Sequence, residues 1–117
     1  MWVFTTIGFY SAVASSPGTV MVRARDKTHL EVLIEKHLSS KPEIITSPNA
    51  DYRYRIIVPK TDWITAMIGL TTDVDYSNFK DETHRIQGQN VYVEALHDVW
   101  KTMYRVQTKS EHKEERK

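Results

Sequence analysis

The alternation of apolar and polar positions predicts a sheet in the first part of the chain. Residues 2–14 are rich in β-branched and aromatic side chains and lack a helical stripe. They therefore predict one strand with a bend or bulge at Gly8. Residues 15–18 have the composition of a turn, and residues 19–25 form the returning strand of a hairpin.

A helix and two further strands follow this hairpin. Asp26 or Thr28 is suited to cap the helix at its first turn. The buried stripe of the helix has spacings of three and four residues and comprises Leu30, Leu33, Ile34, His37 and Leu38. Residues 43–46 predict a short strand, and residues 51–58 predict a longer one.

Helical patterns dominate the second half of the chain. Thr61 or Asp62 caps a second helix, and a polar connector covers residues 73–80. A last helix spans about residues 89–107, and a turn of helix is predicted just before it, over residues 81–87.

The order β-β-α-β-β-α-α predicts an α+β domain. We expect a two-layer sandwich, ferredoxin-like in general character, in which an antiparallel sheet of three or four strands carries its helices on one face. Residues 1–107 are predicted to form this single domain, and residues 108–117 a charged, disordered C-terminal tail.

Composition narrows the class of protein but not its function. The chain has 117 residues, 40% of them hydrophobic and 26% charged, as is typical of one globular domain. Its formal net charge of +1 means that binding of nucleic acid would depend on where the charges lie. Cysteine is absent, which excludes disulfides, thiolate metal sites and cysteine catalysis. No apolar stretch reaches the ~18 to 20 residues of a membrane span. We therefore expect a cytoplasmic protein that does not contact a membrane.

Arginines at alternate positions mark two of the predicted strands. Arg23 and Arg25 belong to the first of them, and Arg53 and Arg55 to the second. Because alternate side chains of a strand share a face, each strand aims two guanidinium groups the same way. If the strands are neighbours, the four arginines form one cationic surface. The opposite, helix-covered face is predicted to take the apolar alternation, which includes Val20, Val22, Ala24, Tyr52, Tyr54 and Ile56.

Two aromatic residues of the first strand extend this predicted surface. If Trp2 and Phe4 share the arginine face, it combines rings that stack with guanidinium groups that bind phosphate. Nucleic acid or a phosphorylated small molecule would suit such a face. The alternative is a solvated strand face, whose arginine stems cover apolar surface and whose charges pair with local carboxylates.

The polar connector supplies a second group of candidate binding residues. It is dense in hydrogen-bonding groups, as ligand-contacting loops often are. Its candidates are Tyr76, Asn78, Lys80 and His84.

Other chemistries are less well supported by the sequence. An enzyme would use His84 as a base, Asp81 as its orienting carboxylate and Ser77 as a nucleophile, but no nucleophile elbow surrounds Ser77. Asp73 and Asp75 lack the remaining ligands of a calcium loop. Glycine-rich phosphate loops are absent, so we expect no cofactor, no metal and a binding role rather than an enzymatic one.

The last predicted helix carries a broad apolar surface. Val91, Val93 and Val106 lie outside its main stripe, and a small two-layer domain would not bury all of them. A homodimer formed through the helical surface is therefore the alternative functional hypothesis.

Several motifs together resemble a family of small uncharacterised bacterial proteins. The segments that carry the resemblance are Met1-Trp2-Val3-Phe4-Thr5-Thr6-Ile7-Gly8-Phe9, Val22-Arg23-Ala24-Arg25, Asp51-Tyr52-Arg53-Tyr54-Arg55, Asp75-Tyr76-Ser77-Asn78-Phe79-Lys80 and Val99-Trp100-Lys101-Thr102-Met103-Tyr104. The resemblance implies a stand-alone domain. It implies no activity, ligand or binding residue.

Overall fold

A computed structural model describes residues 1–115 and divides the chain into two units, Met1–Ser77 and Asn78–Lys117. The first unit contains a five-stranded sheet and two helices. Its elements are β1 (Trp2–Thr5), β2 (Gly8–Ala14), β3 (Thr19–Ala24), α1 (Lys27–His37), β4 (Ile45–Thr46), β5 (Tyr54–Pro59) and α2 (Lys60–Thr72). The second unit contains α3 (Phe79–Gln87) and α4 (Val91–Glu115).

The sheet of the first unit has the strand order β1-β2-β3-β5-β4, and every neighbouring pair is antiparallel. Both α1 and α2 contact β3 and β5. The predicted α+β class and antiparallel sheet are therefore confirmed. The structure is ferredoxin-like only in the general sense that it belongs to this class. The sheet has five strands rather than three or four.

The fifth strand comes from the beginning of the chain. Residues 2–14 were predicted as one bent strand, but they fold back as a hairpin between β1 and β2. Thr5 closes the turn, because its hydroxyl donates to the Gly8 carbonyl at 2.8 Å and accepts from the amides of Ile7 and Gly8. The apolar pattern is the same on both sides of this turn, so it does not distinguish a hairpin from a bent strand.

The core lies between the sheet and the two helices of this unit. Alternate positions of β2, β3 and β5 point into it and meet the stripe of α1. Its largest fully buried apolar side chains are Tyr10, Val22, Leu30, Leu33, Ile56 and Val58. Each such side chain stabilises the fold by about 1.5–3 kcal/mol relative to an exposed position. This burial fixes which face of each strand is left for other contacts.

The two helices of the first unit begin differently. Asp26 caps α1 as predicted, and its carboxylate accepts from the Thr28 amide at 2.9 Å. The predicted caps of α2, Thr61 and Asp62, instead lie inside its first turn, since β5 continues into α2 at Pro59 without a loop.

The second unit is a pair of helices whose ends are marked by side-chain and glycine caps. Asn78 accepts from the Asp81 amide at 2.9 Å and begins α3, and Gly88 ends it with φ of 71°. Asn90 accepts from the Val93 amide at 2.8 Å at the start of α4.

The last helix is longer than its apolar stripe predicts. It extends to Glu115, where the sequence predicts a tail from residue 108. The added segment contains no glycine or proline and is rich in Lys and Glu, which favour helix. The last two residues of the predicted tail, 116–117, lie outside the described residues. No helix in the described part of the chain is long and apolar enough to cross a membrane.

Candidate functional site

The strand register brings two of the four predicted arginines side by side. Arg23 of β3 is paired directly with Arg55 of β5, and Ser11 of β2 is paired with Arg23 on its other side. Trp2 of β1 is paired in turn with Ser11. Because paired residues of antiparallel strands share a face, these four side chains form one row across the sheet. The core residues Val22 and Ile56 occupy the opposite face, the one that α1 and α2 cover.

Local hydrogen bonds hold both guanidinium groups in half-buried positions. Arg23 Nη2 donates to the Ser11 hydroxyl at 2.8 Å. Arg55 Nη2 donates to the Tyr52 carbonyl at 3.1 Å, and its Nη1 lies 3.8 Å from the sulfur of Met21. These contacts restrict the side chains before any ligand binds, which lowers the entropic cost of binding.

Tyr52 joins a third arginine to the pair. The guanidinium carbons of Arg23 and Arg25 lie 4.5 and 4.4 Å from the centre of the Tyr52 ring, at cation–π distance. Arg25 Nε also donates to the Asp51 carbonyl at 3.4 Å.

The position of Tyr52 corrects the sequence prediction, which placed its ring with Tyr54 and Ile56 on the helix-covered face. The ring is buried, with 3% of its surface exposed, but it packs against the arginines. The reason is that β5 begins only at Tyr54. Asp51 accepts from the Tyr52 amide at 2.9 Å in a bend before the strand, so the alternation of the strand does not extend back to Tyr52.

Arg53 also lies before β5, and the structure does not bring it to the other three arginines. Its side chain is exposed and makes no hydrogen bond or ring contact with any described residue. Its carbonyl accepts from the Ser47 amide at 2.7 Å. Of the four predicted arginines, three therefore converge, at Arg23, Arg25 and Arg55.

Aromatic rings continue the surface towards β1. Phe4 and Phe9 are stacked with their centres 4.4 Å apart, and Trp2 meets Phe9 edge-on at 5.9 Å. Phe9 lies 6.3 Å from Tyr52, so the rings form an unbroken series that ends at the arginines. We call the whole surface the arginine–aromatic face; it comprises Trp2, Phe4, Phe9, Arg23, Arg25, Tyr52 and Arg55.

The charge of this face is not neutralised locally. Within the described residues, no carboxylate lies within 4 Å of a nitrogen of Arg23, Arg25 or Arg55; the ion pairs involve other groups. The Nε atoms of Arg23 and Arg55 and the Tyr52 hydroxyl are buried without a hydrogen-bond partner among the described residues. Like charges paired across strands repel, and unpaired buried donors are costly. An anion at the face would relieve the charge repulsion.

Sequence reasoning missed three members of this arrangement. Phe9 and Ser11 reach the face only because the chain reverses between β1 and β2, and the sole sequence signal for that reversal is the turn sequence before Gly8. Tyr52 reaches it because a bend precedes β5, and the signal is Asp51, a residue that accepts hydrogen bonds from nearby amides in turns.

The connector candidates are divided between the two units. Tyr76 belongs to the first, where it lines a cavity of about 140 Å³ together with Val3, Phe4, Leu70 and Asp73. No arginine lines this cavity.

The other three connector candidates belong to the second unit. Asn78 serves as the cap of α3. Lys80 places its ammonium group 4.5 Å from the centre of the Trp100 ring. Lys80 and His84 line an open groove of about 460 Å³, together with His97 and the acidic residues Asp81, Glu94 and Asp98.

His84 and Asp81 are the base and the orienting carboxylate of the enzyme considered from the sequence. His84, Asp81 and Ser77 are all exposed, and His84 and Asp81 form no ion pair in the described structure. Among the described residues, no group of three His, Cys, Asp or Glu side chains could hold a metal ion.

Comparisons of the chain with protein-family models, with curated proteins and with solved structures give no match. The function of the chain must therefore be argued from its own side-chain geometry.

Proposed function

We propose that the protein is a small binding module that holds an anionic, phosphate-bearing partner on its arginine–aromatic face. The observation that carries the proposal is the convergence of Arg23, Arg25 and Arg55, with no carboxylate of a described residue within 4 Å of their nitrogens. Guanidinium groups bind phosphate through paired, charge-assisted hydrogen bonds.

The main alternative for this face is a solvated surface on which arginines pair with local acids. That alternative requires nearby carboxylates, and the described contacts of these arginines go instead to a hydroxyl, two carbonyls, a sulfur and a ring. The neutral contacts orient the charges without neutralising them, which favours binding of an anion.

Inorganic tripolyphosphate is the simplest probe of the proposal, because it offers several phosphate charges and nothing else. We expect calorimetric titration at low salt to show binding that weakens as sodium chloride is added. The double variant Arg23→Gln/Arg55→Gln should bind at least roughly tenfold more weakly, since each hydrogen bond to a charged group contributes about 1.5–3 kcal/mol.

A matched control removes the same charge elsewhere. Lys101 and Arg105 are exposed on α4, so Lys101→Gln/Arg105→Gln should bind tripolyphosphate like the wild type. Thermal unfolding of each variant checks that the fold is retained. Equal binding by the wild type and the Arg23→Gln/Arg55→Gln variant would contradict the proposal.

A second candidate function is self-association through α4. The helix exposes more than half of the surface of five apolar or aromatic side chains, Val91, Trp100, Met103, Tyr104 and Val106. Exposed apolar surface of this kind favours an interface between proteins.

We propose that this binding module acts in the cytoplasm and catalyses no reaction. A cysteine-free sequence is compatible with a reducing compartment. Phosphate recognition by arginines alone needs neither a cofactor nor a metal ion.

A further inference from the structure

We infer that the anionic partner is a single-stranded nucleic acid, whose bases stack on the aromatic end of the face while its phosphates contact the arginines. The inference rests on the proposed function and adds the class of ligand. Phosphate alone would need only the arginines, so the inference depends on what the aromatic residues add.

The aromatic end of the face is accessible. Trp2 exposes 68% of its surface and Phe4 36%, although both belong to a strand of the sheet. Phe9 contacts both rings: it is stacked on Phe4 and meets Trp2 edge-on. Supported but exposed rings are the arrangement on which unpaired bases stack, because every base has a flat face.

The row suits a ligand that carries a flat group at one end and negative charges at the other. Trp2, Ser11, Arg23 and Arg55 follow one another across four neighbouring strands. Adjacent strands lie about 4.8 Å apart, so the backbones at Trp2 and Arg55 are separated by about 14 Å. A single strand can place a base at one end of such a row and successive phosphates at the other.

Other phosphate-bearing ligands fit the face less well. In a duplex the bases are stacked on each other, so their flat faces cannot reach Trp2. A phosphorylated small molecule usually occupies a concave site that buries most of its surface. Trp2 and Phe4, by contrast, are exposed on a strand of the sheet.

Four probes separate the contributions of base and backbone. They are a fluorescein-labelled single-stranded oligonucleotide of mixed sequence, an abasic strand of the same length, the corresponding duplex, and tripolyphosphate. We expect fluorescence polarisation to show the intact strand binding roughly tenfold more tightly than the abasic strand and the duplex, because stacking of one base is worth about 5- to 150-fold in affinity.

Two sets of variants assign these contributions to residues. Trp2→Leu/Phe4→Leu should reduce binding of the intact strand to the level of the abasic strand and leave tripolyphosphate binding unchanged. Ile64→Ala/Ile68→Ala, which removes two exposed apolar side chains from α2, is the matched control and should change neither. Arg23→Gln/Arg55→Gln should make the slope of log affinity against log salt shallower by about 1.4.

The outcomes distinguish the two levels of the argument. If the intact and abasic strands bind equally and tripolyphosphate binds, the inference fails and the proposed function stands. Preference for the duplex would also overturn the inference. If neither the strands nor tripolyphosphate bind at low salt, the proposed function fails with it.

Discussion

His29 connects the interior of the first unit to the arginine–aromatic face. The side chain is buried, and its Nδ1 accepts a hydrogen bond from the Phe9 amide at 3.3 Å. Its Nε2 lies 3.9 Å from a carboxylate oxygen of Asp26. Burial lowers the pKa of His29 below its ordinary value of 6.5, and the attraction to Asp26 opposes this shift but is weaker.

This pKa predicts how stability depends on pH. Below pH 6.5 the unfolded chain takes up a proton at His29, and the folded chain does so only at lower pH. The free energy of unfolding therefore decreases as the pH is lowered. The loss ends once the pH is below the folded-state pKa. Urea unfolding between about pH 8 and pH 5 should show the decline in the wild type and a flatter profile in His29→Gln.

His84→Gln is the control for this prediction, because His84 is exposed on α3 and should leave the profile unchanged. A nuclear magnetic resonance titration of the His29 ring reports the same quantity directly. A folded-state pKa at or above 6.5 would refute the assignment.

For individual residues, the sequence predicts which arginines lie on the arginine–aromatic face better than it predicts the groups that these arginines contact. Arg23 and Arg55 lie inside strands, where alternation holds, and the structure pairs them directly. Arg25 and Arg53 lie just outside strand ends, where alternation carries no information about direction. Only the tertiary position of Tyr52 determines that one of them joins the face and the other does not.

Among the elements, α1 and α2 approach each other at a single glycine. A Cβ atom on Gly69 of α2 would come within 3.0 Å of the imidazole of His37 at the end of α1. The imidazole has little room to move, since only 9% of the His37 side chain is exposed and its Nε2 already lies 3.2 Å from a carboxylate oxygen of Asp73.

The effect of Gly69→Ala on the free energy of unfolding should therefore change sign when His37 is replaced by alanine. In the wild type we expect the added methyl to destabilise the fold by about 1–3 kcal/mol through overpacking. In a His37→Ala background the space is open, and the higher helix propensity of alanine should stabilise α2 by up to about 1 kcal/mol. Urea unfolding of the four proteins tests this, and an equal effect of Gly69→Ala in both backgrounds would contradict it.

The sequence predicts a helix correctly where its apolar periodicity and its capping residue indicate the same start, as in α1 with Asp26. The exception is the first hairpin, because side chains with the same β propensity lie before and after its turn. The alternation of β3 and β5 was enough to predict which face of the sheet the helices cover. The presence of the Phe9 ring on the arginine–aromatic face was not predictable in this way, because it depends on the reversal of the chain at Thr5.

For the whole molecule, the exposed side of α4 predicts self-association. Trp100, Met103 and Tyr104 are spaced three and four residues apart and so share one side of the helix. Trp100 and Tyr104 are also stacked, with their ring centres 5.5 Å apart. We expect sedimentation velocity to show a dimer at micromolar concentration.

Charge on that side of α4 should prevent the association. Trp100→Glu/Tyr104→Glu is expected to sediment as a monomer, and Lys101→Glu, on the same turn of the helix, is the control that should remain a dimer. A wild-type monomer at every concentration would eliminate this candidate function, and it would leave anion binding unaffected.

The single domain predicted over residues 1–107 stays a prediction beside the division into two compact units. The polar connector was predicted as a loop within one domain, and the boundary between Ser77 and Asn78 falls inside it.

The pairing of β3 with β5 makes the arginine–aromatic face dependent on completed folding. The chain between Arg23 and Arg55 includes all of α1 and β4, so no hairpin of consecutive strands contains both arginines. A ligand that needs both arginines recognises only the native state, and its binding energy is added to the stability of the first unit. Occupancy of the face would thereby select fully folded molecules and protect them from unfolding.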